Sequence, residues 1–336
     1  MSHLPAPSVP PGPVALPAGA GGGLSGARAP RADAAGPHVA SERLSVRYGR
    51  RTAVDEVSFT VAAGTVYALL GRNGAGKSSL VRCLLGEQRP TSGRALLFGR
   101  PVWRERAALM AEIGVVPEEA DAPPGMTALQ LARFCSRLYP RWDGAGFEQR
   151  LARFAVPPHV PFGKLSKGQK GQVALSLALA SSPRLLILDD PTLGFDAIAR
   201  RAVFEELIGE LADRGVTVLL TTHDLAAVEG IADRVGILAA GRLLVDEEIE
   251  ELKRRIRRIA LPRAGAGTRA LAGEALAGFA PLRQAAHAWG VETVVTDFDD
   301  ERFARWRGSP AGRAAEVATL TLEEIFVALV GEEERP

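Results

Sequence analysis

Gly71-Arg72-Asn73-Gly74-Ala75-Gly76-Lys77-Ser78 has the spacing G-x-x-x-x-G-K-[ST] without a mismatch. Glycines at this spacing let successive backbone N–H groups curl around phosphate oxygens, and a following helix adds the positive end of its dipole. Lys77 is placed to reach the β- and γ-phosphates of a nucleoside triphosphate, and the Ser78 hydroxyl to ligate Mg2+. Further along, Leu185-Leu186-Ile187-Leu188-Asp189-Asp190 is an apolar run closed by two acids. An acid at the end of a strand, here Asp189, is positioned to hold Mg2+ through water. Asp190 beside it is positioned as a base that orients an attacking water. The chemistry these groups share is phosphoryl transfer to water.

Such groups need strands and helices to hold them. Val66 to Leu70 reads as a buried strand directly before the glycine loop, and Ser79 to Leu85 as a helical run directly after it. Leu185 to Leu188 and Val216 to Thr221 read as further buried strands. About Thr127 to Phe154 is helical in period, with Leu129 to Phe134 at helical spacing. Strand-length apolar runs alternating with helices predict an α/β fold with a mostly parallel sheet. Gly241-Arg242 between two apolar runs predicts a hairpin turn.

Leu165-Ser166-Lys167-Gly168-Gln169 precedes the Ala/Leu-rich helical stretch Val173 to Ala180, and His223 follows Thr221-Thr222. The order of phosphate loop, L-S-x-G-Q, acid-terminated strand and histidine resembles the ATP-binding cassette (ABC) ATPases over about Val39 to Ile249. That resemblance implies a P-loop NTPase cassette with a helical subdomain, ATP and Mg2+ as cofactors, and a head-to-tail dimer that sandwiches two ATP molecules. It further implies that Tyr48 stacks on adenine, that the loop residues Gly71, Asn73, Gly74, Gly76, Lys77, Ser78 and Ser79 hold the phosphates, and that Asp190 and His223 are catalytic. Ser166, Gly168 and Gln169 would bind the γ-phosphate held by the opposite subunit, and Asp196 would cross the dimer interface. Ser78, Asp189 and Glu118 would face Mg2+. Two positions depart from the family's usual residues: Asp190 stands where the family has Glu, and Glu118 where it has Gln. Lys167, Tyr139-Pro140-Arg141-Trp142-Asp143 and the closing Leu322 to Leu329 are similar to the branch that includes drug-resistance exporters.

The resemblance thus implies the ATP-hydrolysing subunit of a transporter, an exporter, acting as a homodimer or heterodimer on a separate membrane permease at the cytoplasmic face of the membrane. Two other readings are a soluble ABC ATPase of DNA repair or translation, and a regulatory subunit that barely hydrolyses. The long coiled coils, zinc-binding cysteines or doubled cassettes of the soluble relatives do not occur in this sequence, and Asp190 alone speaks for the regulatory reading.

Composition fits these expectations. A net charge of +2 gives no field that would recruit nucleic acid. The two cysteines, Cys83 and Cys135, provide no disulfide framework and point to a reducing compartment. No run reaches the roughly 20 apolar residues of a membrane-spanning helix, and the N-terminus does not read as a signal peptide.

Three domains are expected. Residues 1–39, rich in Pro, Gly and Ala, read as a disordered tail. Residues 40–250 form the ATPase domain, with its helical subdomain at about 120–180, and residues 251–336 form a C-terminal accessory region. Within the last, Gly265 to Gly278 reads as a linker, Val291 to Val295 as a strand, and Glu301 to Trp306 as a short helix. Thr321 and Glu324 fit a capping box for a final helix, Leu322 to Val330. Glu247 to Ile259 reads as an exposed helix with supporting pairs Glu250/Arg254 and Glu251/Arg255. Its basic run, Lys253 to Arg258, could touch anionic lipid, but the preceding acids favour a solvated, self-balanced face.

Overall fold

The computed structural model describes residues 36–331 except 192–194, 196, 263–275, 277 and 311. Most of the expected tail, most of the expected linker and Asp196 therefore lie outside the described residues.

Two sheets carry the first two-thirds of the described chain. An antiparallel sheet takes the order β2-β1-β4-β5, from β1 (Val39–Tyr48), β2 (Arg51–Val61), β4 (Ser92–Leu97) and β5 (Arg100–Pro101). The central sheet has the order β10-β9-β3-β8-β7-β6. It is built from β3 (Val66–Gly71), β6 (Ile113–Val116), β7 (Leu185–Asp189), β8 (Thr217–Thr222), β9 (Arg234–Ala239) and β10 (Arg242–Glu248). Its neighbours run parallel, apart from the β9–β10 hairpin that turns at Ala240-Gly241. Every residue of β3 and β8 is buried, as expected of parallel strands covered on both faces.

Side-chain alternation splits the packing in two. Leu69, Ile187 and Leu219 join β1, β2 and helix α1 (Lys77–Leu84) in one core. Leu70, Leu186, Leu188 and Leu220 point the other way, into a core shared with α3 (Ala128–Cys135), α4 (Gly144–Arg153), α5 (Lys167–Ala180) and α6 (Ala197–Arg214). Helix α2 (Val102–Met110) leads into β6. The expected helical zone breaks between α3 and α4, where Pro140 bars continuation and Asp143 caps the restart by accepting from the Gly146 N–H at 2.8 Å.

Helix α7 (Leu225–Glu229) precedes β9, and α8 (Ile249–Arg255) follows β10. The helix expected over Glu247 to Ile259 is shorter. Glu247 and Glu248 end β10, and Arg257 opens β11 (Arg257–Pro262). Burial explains the change: Ile249, Leu252 and Ile256 dock on the core at helical spacing, whereas Ile259 and Leu261 are buried two apart, as a strand requires. The i,i+4 pairs do not form. Arg254 bonds Glu251, Arg255 bonds Glu247, Lys253 bonds Glu229 and Arg258 bonds Glu324. Acids thus neutralise most of the basic run, but only Glu247 and Glu251 belong to the preceding segment, while Glu229 and Glu324 reach it from other elements.

The C-terminal sheet is antiparallel in the order β12-β13-β11-β14, with β12 (Pro281–His287), β13 (Gly290–Val295) and β14 (Glu316–Thr319). Helix α9 (Asp300–Arg307) brings Phe303 and Trp306 onto Phe279 and Phe298. Helix α10 (Leu322–Val330) starts at the expected Thr321/Glu324 capping box. It packs on the ATPase core, and its Leu322 N–H donates to Glu229 Oε2 at 3.1 Å.

The tail boundary expected at Ala40 falls inside β1, because Val39 is fully buried there and His38 is buried beside it. His38 Nδ1 lies 2.7 Å from Thr217 Oγ1, and its ring meets Phe98 edge-on. Burial first, then the Arg184 guanidinium, hold its pKa below 6.5, with Glu112 opposing them. The folded state therefore favours the neutral ring. The unfolded chain takes up the proton first, so this contribution to stability is intact above pH 6.5 and declines as pH falls below it. His38→Asn keeps an acceptor near the Nδ1 position without titrating. Urea unfolding at pH 8 and 5.5 should show a smaller loss on acidification in the variant than in the wild type, and equal losses would remove His38 as the cause.

Candidate active site

The loop after β3 turns sharply because it is built of glycines. A Cβ on Gly71 would lie 2.6 Å from the Leu238 carbonyl oxygen. Gly76, the N-cap of α1, has φ 111°, and a Cβ there would lie 2.3 Å from the Ala53 oxygen. No other residue fits either position. The loop so formed leads straight into α1, whose first residue is Lys77. Lys77 Nζ donates to the Gly71 carbonyl at 2.6 Å and to that of Arg72 at 3.3 Å, so the ammonium is curled over its own loop. Burial pushes its pKa below the ordinary lysine value, while the carboxylates of Asp190, Asp189 and Glu118 pull it back.

Parallel register delivers the acids. Asp189 pairs with Thr221 across β7 and β8, and Leu70 with Thr222 across β3 and β8, so the carboxyl ends of three strands meet beside the loop. Thr221 Oγ1 donates to Asp189 Oδ1 at 2.5 Å. The Asp190 backbone is left-handed at φ 48°, a conformation Asp tolerates better than most residues. Its N–H reaches both the Thr221 carbonyl, at 3.0 Å, and Thr221 Oγ1, at 3.2 Å. Its carboxylate Oδ2 lies 2.5 Å from His223 Nδ1, and Thr222 Oγ1 lies 3.5 Å from Oδ1.

A cavity of about 500 Å³ lies over these groups. Asn73, Gly74, Gly76, Lys77, Ser78 and Ser79 form its floor, and Glu118, Asp189 and Asp190 one wall. Tyr48 stands at the rim, 46% exposed, its hydroxyl donating to Gln88 Oε1 at 2.6 Å and lying 3.3 Å from Ser79 Oγ. His223 joins this group through Asp190. The expected residues of the phosphate loop, the two acids, Glu118, Tyr48 and His223 are thus brought together.

Ser166, Gly168 and Gln169 are not. They sit at the N-terminus of α5 and do not line the cavity. Ser166 Oγ accepts from the Gln169 N–H at 3.2 Å and Gln169 Oε1 accepts from the Ser166 N–H at 3.0 Å, a reciprocal cap.

Sequence reasoning missed Arg51 and Thr221, both of which line the cavity. Arg51 pairs with Tyr48 across the β1–β2 hairpin, a register legible only once both strands are assigned. A signal for Thr221 existed: a hydroxyl in a fully buried strand must find a partner, and the nearest candidates are the acids of the adjacent strand.

The cavity's donor set fits a divalent cation. Ser78, Asp189 and Glu118 offer hard oxygen ligands in one place. Among the described residues no three His, Cys, Asp or Glu side chains converge into a metal cage.

Residues 54–193 match the family model of the ABC transporter. The chain is 35% identical over 216 residues to Nod factor export ATP-binding protein I of Paraburkholderia xenovorans, covering 61% of this chain and 69% of that one. It is 32% identical over 218 residues to bacitracin transport ATP-binding protein BcrA of Bacillus licheniformis, covering 64% and 71%. Among solved structures, the ATP binding subunit of an ABC transporter superposes with a TM-score of 0.59 at 28% identity, over 64% of this chain and 92% of that one. A bacterial Atm1-family ABC exporter with ATP bound superposes with a TM-score of 0.58 at 25% identity, over 65% and 40%.

Proposed function

Because the chain belongs to the ABC transporter family of ATP-binding proteins, we propose that it is the motor of an exporter, driving a separate membrane subunit by ATP-dependent closure of a dimer. One observation carries this reading: the catalytic acids and the phosphate loop share a cavity from which the Ser166-Lys167-Gly168-Gln169 cap is excluded. Each site is therefore half a site, and a second copy or a close paralogue supplies the other half.

In the closed site Lys77 moves from its own loop carbonyls to the β- and γ-phosphates, which are stronger acceptors. Tyr48 offers its ring face to adenine. Ser78, Asp189 and Glu118 would hold Mg2+, which supplies neutralisation of the phosphate charge. Asp190 orients the attacking water in line with the γ-phosphate, and His223 fixes the Asp190 carboxylate while facing the same phosphate. Ser166, Gly168 and Gln169 of the opposite subunit close over the γ-phosphate with the positive end of α5, and Asp196 meets the opposite subunit at the interface. The working cassette begins at His38 and β1, and the sheet of β11 to β14 forms an accessory region whose following helix, α10, packs back on the cassette core.

Among the described residues no helix is long and apolar enough to cross a membrane. The chain would sit at the cytoplasmic face of the membrane, and substrate choice would belong to the permease. Export as the direction rests on the relatives named for Nod factor export and bacitracin transport.

Mixing Ser166→Arg protein with Lys77→Ala protein tests the composite site. A mixed dimer concentrates both lesions in one site and leaves the other intact. Two individually inactive proteins should then regain about a quarter of wild-type ATPase activity, since half the dimers are mixed and each has one good site. No recovery from folded, dimerising proteins would sink the head-to-tail arrangement.

A further inference from the structure

We propose that Thr221 is a positioning residue for the divalent cation, aiming the Asp189 carboxylate and tying it to the Asp190 backbone. The proposal rests on the reading of the site given above.

Thr221 lies in β8 between β3 and β7, with almost no exposed surface. A threonine hydroxyl has one proton and two lone pairs. The proton goes to Asp189 Oδ1 at 2.5 Å, and a lone pair accepts the Asp190 N–H at 3.2 Å. One oxygen therefore touches both functional acids, the first through its carboxylate and the second through its backbone.

The consequence for Asp189 is orientation. Its side chain ends a strand and projects over an open cavity, where its carboxylate torsion is otherwise soft. The charge-assisted bond to Thr221 fixes Oδ1 and leaves Oδ2 as the oxygen presented to a cation. Partners of this kind, one step behind the metal, govern affinity through the geometry of the ligand they hold. Thr222 has a different task. Its Oγ1 accepts the Asp224 N–H at 2.9 Å, shaping the turn that carries His223.

Thr221→Val isolates the hydroxyl. Valine has the same branched shape and suits a buried strand. The Asp190 N–H keeps its bond to the residue 221 carbonyl, now 3.0 Å away. The measurement is Mn2+ binding to protein loaded with β,γ-imido-ATP, read from the EPR signal of free Mn2+. Thr221→Val should bind Mn2+ about tenfold more weakly than wild type, and Thr221→Ser should restore it. Affinity for the nucleotide in EDTA should be the same in all three. Equal Mn2+ affinity in wild type and Thr221→Val would overturn the proposal. So would a Thr221→Ser protein no better than Thr221→Val, or a Thr221→Val protein that loses nucleotide in EDTA, since either outcome means a packing role. Lys77→Ala is the control for the site itself: if it binds the nucleotide like wild type, the reading of the cavity fails, and the proposal with it.

Discussion

Asp190→Asn should bind ATP as wild type does and hydrolyse it about 10²- to 10⁴-fold more slowly, the usual contribution of a positioned base. The substitution preserves shape and removes the charge that would draw a proton from the attacking water. Asp190 faces the cavity, and its carboxylate is pinned by His223 at 2.5 Å. With hydrolysis blocked, ATP should hold the dimer closed, and gel filtration in ATP should show a shift to dimer that wild type loses as it turns over. Asp190→Glu is expected to slow hydrolysis as well. Its longer side chain would overreach the His223 contact, and glutamate is less at ease than aspartate in the left-handed backbone at φ 48°. A displacement near 1 Å at such a centre costs about a hundredfold in rate. A slower Asp190→Glu would show the site to be built around the shorter carboxylate. Asp190→Asn turning over at the wild-type rate would exclude Asp190 as the base, and a faster Asp190→Glu would show the native carboxylate to be poorly placed.

The parts of this site that were legible in the sequence are those that backbone geometry dictates. Gly71 and Gly76 cannot be replaced where they stand, so the phosphate loop declares itself. The Thr321/Glu324 cap is a local, four-residue device and reads equally well. What escaped was set by distance in space. Thr221 and Asp189 are 32 residues apart, and only parallel register brings them together. The left-handed turn at Asp190 has no local signal, because aspartate at a strand end is ordinary. The basic run at Lys253 to Arg258 looked like one exposed helix because charge pattern dominated its composition. Ile259 and Leu261 decided otherwise by packing under β13 and α9, a contact made with residues some 30 to 50 positions on. The exclusion of Ser166, Gly168 and Gln169 from the cavity was implied by resemblance, and its physical content, a helix N-terminus with its side chains turned inward on themselves, appears only in the fold.

Arg150→Met should destabilise the protein by about 3–5 kcal/mol, measured as the change in urea unfolding free energy. Arg150 lies on α4 with its side chain only 7% exposed. Its Nε donates to Glu206 Oε1 at 2.7 Å and its Nη2 to Glu210 Oε1, acids one turn apart on α6. Both carboxylates are themselves buried. One guanidinium therefore holds two desolvated acids and clamps the helix that follows Trp142 to the helix that follows Asp190. Removing it strands two negative charges, which costs far more than the lost bonds are worth. Arg153 reaches Glu206 Oε2 at 2.9 Å and Arg214 lies 3.5 Å from Glu210 Oε2, but both arginines are more exposed and compensate only partly. If stranded charge is the cause, adding Glu206→Gln and Glu210→Gln to Arg150→Met should recover most of the loss, although each glutamine alone weakens the native protein. A loss below about 1 kcal/mol would place the trio in the class of solvated surface pairs. A triple variant no more stable than Arg150→Met would make the shape of the arginine, rather than its charge, the element that joins α4 to α6.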